Sequence, residues 1–258
     1  MRPLREFPFG RELLIVAHRG ASGEAPENTM AAFDLAIAEG AMMIELDVQR
    51  TTDDRLVVFH DSTLRRTTKG RGRVAEKSHR ELHALDAGSW FDARFAGERI
   101  PLLDDVLEHV RNRAYLNIEV KSSAVRDGTA ELLVRAIHRH HAADRVLLSS
   151  FHHGVVKRIK ELAPDIPTAV ILHPTKSVVN VVRVARRANA DAIVCATYQL
   201  TRKRVRDAAS HGMPLTVYTV NTPFALKRVL RYGVQIVVTN FPGKIGKAAR
   251  AHHAARHA

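Results

Sequence analysis

Two pairs of charged residues stand at the ends of apolar runs and could form a chemical centre. Glu45 and Asp47 close one run, and Glu119 and Lys121 close another. The members of each pair are two residues apart, so on a β-strand both side chains point to the same face. A buried charge without a partner is costly or shifts its pKa until it is neutral. Three carboxylates and an ammonium at strand ends therefore indicate a bound cation beside a bound anion, as phosphate ester chemistry requires.

The carboxylates of Glu45, Asp47 and Glu119 would form an all-oxygen ligand set. Oxygen donors favour Mg²⁺ or Ca²⁺, whereas zinc prefers nitrogen and sulfur donors. We therefore expect one divalent cation, Mg²⁺ or Ca²⁺, with open positions for water and a phosphate oxygen.

Side chains suited to phosphate binding and proton transfer also stand at the ends of apolar runs. Arg19 offers a planar fork for a phosphate group, and Lys121 offers a point charge. His18 and His60 suit proton transfer, one from the nucleophile and the other to the leaving oxygen. A single histidine, glutamate or lysine is more often structural than catalytic. Five charged or titratable groups repeated at equivalent strand ends, however, favour a catalytic site.

Apolar, β-branched runs alternate with segments of helical period along the chain, which is typical of parallel βα units. The predicted strands are 13–18, 42–48, 115–121, 145–149, 168–172, 192–196, 215–220 and 236–240. The predicted helices are 29–39, 103–111, 129–141, 154–162, 177–188, 201–211 and 222–232. Eight strands in 258 residues fit a (β/α)₈ barrel, which typically needs about 250 residues. We expect a single domain over 1–246 and a basic tail over 247–258, which either extends a last helix or frays.

Residues 56–60 form a further apolar run that does not fit this alternation of strands and helices. Only seven residues separate it from Val48, too few for the crossover that a parallel strand needs. We therefore predict an antiparallel hairpin with the second strand, which sets His60 about opposite Asp47 unless a bulge shifts the register by one residue. The polar stretch that follows, 61–99, is predicted to be an inserted cap that acts as a lid or specificity loop.

The net charge of +13 raises the question of a nucleic-acid or membrane partner. Aromatic residues make up only 5% of the chain and do not interleave with the basic ones, so we favour a solvated basic surface and expect no nucleic acid. No apolar run approaches the roughly 20 residues of a membrane span, and the N-terminus lacks an export signal. Cys195 is the sole cysteine, which indicates a reducing cytoplasm.

The motifs together resemble those of the glycerophosphodiester phosphodiesterase family, most closely its short cytoplasmic bacterial form. They occur in family order across nearly the whole chain. The matching stretches are 17–20, 25–29, 44–47, 60–61, 85–91, 100–103, 118–121, 149–151 and 217–221.

The resemblance implies a TIM barrel of the phospholipase-C-like phosphodiesterase type, with the inserted cap. It implies metal-dependent hydrolysis of glycerophosphodiesters, such as glycerophosphocholine and glycerophosphoethanolamine, to sn-glycerol 3-phosphate and an alcohol. Carried onto this sequence, it implies an acid/base pair, a metal-ligand set and a substrate-binding set. These are, respectively, His18 and His60; Glu45, Asp47 and Glu119; and Arg19, Lys121, Glu27, Asn28, Tyr218 and Asn221.

Two positions depart from the family pattern. Asn240 stands where the family usually has Asp, and Tyr218 stands where many members have Trp. Both lie outside the expected metal and proton-transfer groups, so they bear on substrate fit. Two alternatives remain: a phospholipase D-like relative that acts on lysophospholipids or sphingolipids, and a non-catalytic binder that uses its basic surface for nucleic acid or anionic lipid. The sequence leaves open the physiological ion, the preferred headgroup, a cyclic phosphate intermediate and the oligomeric state.

Overall fold

Eight parallel strands curve into a closed barrel in the computed structural model, which describes Leu4, residues 13–175 and residues 180–257. The barrel closes because its first strand pairs with the second strand on one side and with the last strand on the other. The strands of the barrel are β1 (Leu14–His18), β2 (Met43–Arg50), β4 (Tyr115–Val120), β5 (Val146–Ser150), β6 (Thr168–Ile171), β7 (Ala192–Ala196), β8 (Leu215–Tyr218) and β9 (Ile236–Thr239). The predicted (β/α)₈ barrel is confirmed.

Helices follow the strands, and all but the second, which lies in the cap described below, cover the outside of the barrel. They are α1 (Met30–Ala38), α2 (His79–His83), α3 (Leu103–His109), α4 (Thr129–Arg139), α5 (His153–Leu162), α6 (Val181–Arg187), α7 (Arg202–Ser210), α8 (Pro223–Arg231) and α9 (Pro242–His257). The predicted start of the helix 177–188 falls partly outside the described residues. Residues 247–257, which we expected in a tail, continue α9.

The sequence of α1 shows why these helices form where they do. Thr29 caps the helix, because its side-chain oxygen accepts a hydrogen bond from the Ala32 backbone N–H. Phe33 is fully buried between the helix and the strands, with Met30 and Ile37 packed beside it. The helix thus buries one apolar stripe against the outer face of the barrel, as the spacing of these residues predicts.

The ninth strand, β3 (Leu56–Val58), is the second arm of a hairpin and pairs antiparallel with β2. The predicted hairpin is confirmed, but its register is one residue away from the expected one. Val48 pairs with Val58, and the Phe59 N–H donates to the Asp47 carbonyl at 2.9 Å. The turn sets this register, because the Thr51 N–H donates to the Arg55 carbonyl. This hydrogen bond places Asp53 at the centre of the loop and brings Val48 opposite Val58.

Residues 61–99 form a cap with a small apolar core of its own. Its one short helix, α2, begins with a capping box between Ser78 and Glu81. Two further helical turns are of the 3₁₀ type, at Val74–Glu76 and Ala93–Phe95. The buried side chains of this core are Val57, Phe59, Leu64, Val74, Leu82, Ala87 and Ile100. The cap is therefore a packed unit seated on the hairpin.

In the described residues, no helix combines the length and the apolar character that crossing a bilayer requires.

Candidate active site

The strand register brings the predicted carboxylates and His18 together at one end of the barrel. His18 lies beside Glu45 in the β1–β2 pairing. Asp47 lies beside Glu119 in the β2–β4 pairing. These positions are at the carboxyl ends of parallel strands, where barrel enzymes place their active sites.

Glu45, Asp47 and Glu119 form a compact, buried acidic cluster. One oxygen from each carboxylate lies within 4.8 Å of the others. Burial, and then the Asp47 and Glu119 charges, raise the pKa of Glu45 well above its usual range. Burial, and then the charge of Asp47, raise the pKa of Glu119 to about 7. Three carboxylates crowded in this way are stabilised by a cation between them.

Two basic side chains neutralise part of this cluster. Arg19 Nε lies 3.2 Å from Asp47 Oδ2, and Lys121 Nζ lies 2.6 Å from Glu119 Oε1 and 3.4 Å from Asp47 Oδ1. Burial alone would raise the pKa of Asp47, but Lys121 and Arg19 hold it at about 2. Asp47 is therefore the carboxylate that stays ionised most firmly.

The loop between β1 and α1 holds Arg19 in an unusual backbone conformation. Arg19 has φ +55° and Asn28 has φ +59°, in the left-handed region that side chains rarely adopt. The Arg19 N–H donates to Glu45 Oε2 at 3.0 Å, and its carbonyl accepts from the Asn28 N–H at 3.0 Å. Gly20 follows with φ +82°, and a Cβ there would lie 2.6 Å from the Ala32 backbone. Such local strain is commonly maintained at functional sites.

His18 is held in one orientation by Asn240, at the end of β9. The two side chains meet at 2.8 Å between His18 Nδ1 and Asn240 Oδ1. Because an amide oxygen only accepts, the imidazole carries its proton on Nδ1, and Nε2 is left as an acceptor. Nε2 lies 3.9 Å from Glu45 Oε2. Burial, and then the neighbouring Arg19 charge, lower the pKa of His18 to about 4.

His60 is oriented instead by a carboxylate, in a network that extends to Arg19. His60 Nδ1 lies 2.6 Å from Asp61 Oδ1, so its N–H donates to that oxygen. Arg66 donates to Asp61 Oδ2 at 2.7 Å and to both oxygens of Glu27 at 2.7 Å. Glu27 in turn accepts from Arg19 Nη1 at 2.9 Å. This chain of ion pairs links the surroundings of both histidines.

A cavity of about 400 Å³ opens above these groups and has two chemically different sides. His18, Arg19, Glu45, His60 and Glu119 line one side. The other side is mainly apolar and aromatic. It is formed by Phe151, Ile171, Pro174, Val194, Ala196, Tyr198, Tyr218 and Val238. A charged group and an uncharged portion of the same small molecule could thus bind side by side.

Three of the predicted substrate-binding residues lie behind the cavity wall. Glu27 contacts Arg19 and Arg66. Asn28 donates to Asp47 Oδ2 at 2.9 Å and is buried. Asn221 Oδ1 accepts from the Asn240 N–H at 2.9 Å and from Thr239 Oγ1 at 3.2 Å. Glu27, and Asn28 through its backbone N–H, contact Arg19, which lines the cavity, whereas the partners of Asn221 stand outside the lining. Lys121 contacts the lining residue Glu119, and Tyr218 lines the cavity directly.

Sequence reasoning missed three residues that position the histidines: Asn240, Asp61 and Arg66. Asn240 was noted only as a departure at the barrel rim, although the closing of the barrel places β9 beside β1. Asp61 directly follows His60, which is a usable signal because carboxylates commonly orient histidines. Arg66 lies in the aperiodic cap, and nothing in its surroundings in the sequence distinguishes it from Arg65.

Comparison with known proteins agrees with this geometry. Residues 18–244 match the model of the glycerophosphoryl diester phosphodiesterase family. The chain belongs to this family. It is therefore an enzyme of the phosphoric diester hydrolase class.

Individual members of the glycerophosphoryl diester phosphodiesterase family align over most of the chain. A glycerophosphodiester phosphodiesterase of Caldanaerobacter subterraneus is 38% identical over 231 residues, which cover 89% of this chain and 94% of that protein. An Oleispira antarctica phosphodiesterase solved with the product sn-glycerol-3-phosphate superposes with a TM-score of 0.85 at 30% identity, covering 91% and 95%. A glycerophosphodiester phosphodiesterase of Agrobacterium tumefaciens gives a TM-score of 0.79 at 33% identity, covering 90% and 97%.

The acidic cluster fits a divalent cation of the hard, oxygen-binding type. All three donors are carboxylates, which suits Mg²⁺ or Ca²⁺ better than zinc. Asp47 Oδ1 is buried, has no hydrogen-bond partner among the residues that the structure describes, and lies 3.4 Å from Lys121 Nζ. A cation between the carboxylates would satisfy this oxygen.

Proposed function

We propose that this enzyme hydrolyses glycerophosphodiesters to sn-glycerol 3-phosphate and an alcohol, with a divalent cation and two histidines. The observation that carries the proposal is the meeting of three buried carboxylates, two basic side chains and two oriented imidazoles at the mouth of a barrel of this family. The small product named for the Oleispira antarctica relative supports the same substrate class.

Glu45, Asp47 and Glu119 would hold the cation, Mg²⁺ or Ca²⁺. When bound, it would draw electron density from a phosphate oxygen and stabilise the charge that develops during hydrolysis. Arg19 and Lys121 stand beside these carboxylates and supply the other positive charges for the phosphate.

The partners of the two histidines suggest different tasks. His18 is held by a neutral amide and presents an unprotonated Nε2, which suits a proton acceptor. Burial lowers the pKa of His60, but the Asp61 carboxylate that holds His60 favours the positively charged imidazole and partly offsets this effect. His60 is therefore better suited than His18 to donate a proton. We therefore assign His18 as the base toward the attacking oxygen and His60 as the acid toward the leaving oxygen.

The apolar side of the cavity would hold the part of the substrate that carries little charge. Phe151, Tyr198 and Tyr218 provide flat aromatic surfaces there. Glycerophosphocholine and glycerophosphoethanolamine are small enough for a cavity of about 400 Å³. Glu27, Asn28 and Asn221 would support this site from behind by fixing Arg19, Asp47 and Asn240.

The decisive experiment measures release of glycerol 3-phosphate from glycerophosphocholine. We expect activity with Mg²⁺ or Ca²⁺, reversible loss with a chelator, and a loss of about 10²–10⁴-fold in turnover for His18→Ala and for His60→Ala. His138→Ala, on the outside of α4, is the matched control and should retain wild-type turnover.

Two outcomes would contradict the proposal in different ways. Hydrolysis of lysophosphatidylcholine without hydrolysis of glycerophosphocholine would move the enzyme to the phospholipase D-like alternative. Wild-type turnover in either histidine variant would remove that histidine from the mechanism while leaving the substrate class in place. Circular dichroism of each variant confirms that the fold is retained.

A further inference from the structure

The net charge of the protein is confined to one part of the barrel. Residues 1–165 contain 25 basic and 25 acidic residues, whereas residues 166–258 contain 15 basic and 2 acidic residues. The second part therefore carries the whole excess of +13. It comprises β6 to β9 and the helices α6 to α9 that cover them.

The basic side chains of this part face the solvent. Among the described residues of this part, the exposed lysines and arginines are Arg183, Arg186, Arg187, Arg202, Lys203, Arg206, Lys227, Arg228, Arg231, Lys244, Lys247 and Arg250. The two acidic residues are already paired, Asp191 with Lys160 at 2.8 Å and Asp207 with Lys203 at 2.6 Å. Apart from Lys203, these exposed side chains have no acidic partner within 4 Å among the described residues. These exposed basic side chains on α6 to α9 are here called the basic face.

Exposed aromatic side chains stand at the active-site end of the basic face. Phe224, the second residue of α8, is 81% exposed, and Tyr198, between β7 and α7, is 64% exposed. In this barrel each helix begins where the preceding strand ends, so the start of α8 lies at the same end as the cavity. Tyr198 itself lines the cavity. Arg202 and Lys244 are near the starts of α7 and α9, at the same end.

We propose that this end of the basic face docks on an anionic phospholipid membrane, with Phe224 inserted at the headgroup level. Membrane surfaces rich in anionic lipid attract clusters of lysine and arginine, and an exposed aromatic ring beside such a cluster is a typical interfacial anchor. Nucleic acid would match the charge but not the aromatic residues, which do not interleave with the basic ones. The cavity mouth would then open close to the membrane surface. The proposal concerns location and is independent of the reaction proposed above.

The test uses the full-length protein and two matched charge-reversal variants in vesicle sedimentation. The first is Arg202→Glu/Lys227→Glu/Lys244→Glu, with one change on each of α7, α8 and α9. The second is Arg55→Glu/Arg80→Glu/Arg135→Glu, three exposed residues in the neutral part. Both variants lower the net charge from +13 to +7, so only the position of the change differs. Diester hydrolysis by the same samples reports separately on fold and activity.

We expect wild-type protein to bind vesicles of equal parts phosphatidylglycerol and phosphatidylcholine, and to bind phosphatidylcholine vesicles only weakly. Each basic residue near an anionic surface contributes about fivefold to the binding constant, so the first variant should lose at least about tenfold. The second variant should bind nearly as the wild type does. Phe224→Ser should lose severalfold while keeping the salt dependence, because the charge is unchanged.

Three results would overturn the proposal. They are equal losses in the two charge variants, equal binding of wild-type protein to both kinds of vesicle, and displacement of bound protein from the vesicles by duplex DNA at low concentration. The last result would assign the basic face to nucleic acid instead. Absence of diesterase activity in protein that still binds vesicles would contradict the proposed function and leave this inference standing.

Discussion

Asn240 directly orients His18, one of the two proposed proton-transfer groups. Its side-chain oxygen contacts His18 Nδ1 at 2.8 Å, and its own backbone N–H is fixed by Asn221 at 2.9 Å. The residue therefore acts through His18, and among the described residues it forms no hydrogen bond with Glu45, Asp47 or Glu119. It replaces the Asp that is usual in the family with an uncharged side chain of the same shape, and so keeps the acceptor while removing the charge.

We predict that Asn240→Ala lowers kcat about fivefold and leaves KM nearly unchanged, since a single orienting hydrogen bond contributes about 1 kcal/mol. Asn240→Asp keeps an acceptor at the same place and should recover most of the lost turnover. Steady-state kinetics with glycerophosphocholine measure both quantities. A rise in KM without a fall in kcat would instead make Asn240 a substrate-binding residue.

The side chains of the candidate site could be predicted from the sequence where they stand on strands. Glu45 with Asp47 and Glu119 with Lys121 follow the two-residue period of a strand, so their common direction is dictated by backbone geometry. The pairing of His60 with a neighbouring strand could be predicted less well, because the turn at Thr51 and Arg55 decides the register. Contacts between distant segments, such as Asn240 with His18, depend on barrel closure and leave no local signal.

At the scale of elements, the cap is joined to the β1–α1 loop by ion pairs and hydrogen bonds. Arg66 contributes the strongest of them, because its guanidinium contacts Asp61 and both oxygens of Glu27. Glu98 Oε2 also accepts from the Ala31 N–H at 3.4 Å, and Arg94 Nη2 donates to the Glu24 carbonyl at 3.3 Å. The orientation of Arg19 and His60 thus depends on how the cap is seated.

We predict that Arg66→Met lowers kcat/KM about tenfold, because Glu27 and Asp61 lose their common partner. The side chains that they orient, Arg19 and His60, then become more mobile. The stability cost should stay below about 1 kcal/mol, since 44% of the Arg66 side chain is exposed and solvent weakens its ion pairs. Arg65→Met, at the adjacent exposed position, is the matched control. Kinetics and urea unfolding of both variants separate the two effects, and equal kinetics in the two would contradict a positioning role for Arg66.

The elements of the barrel could be predicted from the sequence more completely than those of the cap. Apolar runs with turn residues between them define strands that are buried on both faces. In the cap, the helix α2 spans only His79–His83, and local hydrogen bonds decide its structure. Asp86 illustrates this, because it accepts from the backbone N–H groups of Gly88, Ser89 and Gly97. The structure of such loops is specified by individual side chains, so it cannot be predicted from the spacing of apolar residues.

For the whole molecule, the acidic cluster predicts that cation binding stabilises the fold. A cation that binds only the folded state, at about 100 times its Kd, adds about 2.7 kcal/mol to the free energy of unfolding. For a chain of this size, that corresponds to a rise in Tm of roughly 5–10 °C. Thermal unfolding with and without Mg²⁺ or Ca²⁺ measures this without reference to activity.

Glu119→Gln provides the control for this prediction. Removing one negative charge relieves repulsion in the cluster, so we expect the variant to be at least as stable as the wild type without added ion and to gain less from it. An identical rise in Tm for both proteins would place the stabilising ion elsewhere on the molecule.

The contact between His18 and Asn240 joins residues that are 222 positions apart in the chain. During translation, the strand that bears His18 emerges from the ribosome long before β9 does. A nascent or truncated chain that already carries both imidazoles and all three carboxylates would still lack the group that orients the first imidazole. The onset of activity is thereby tied to synthesis of β9, and fragments that end before this strand should be poor catalysts.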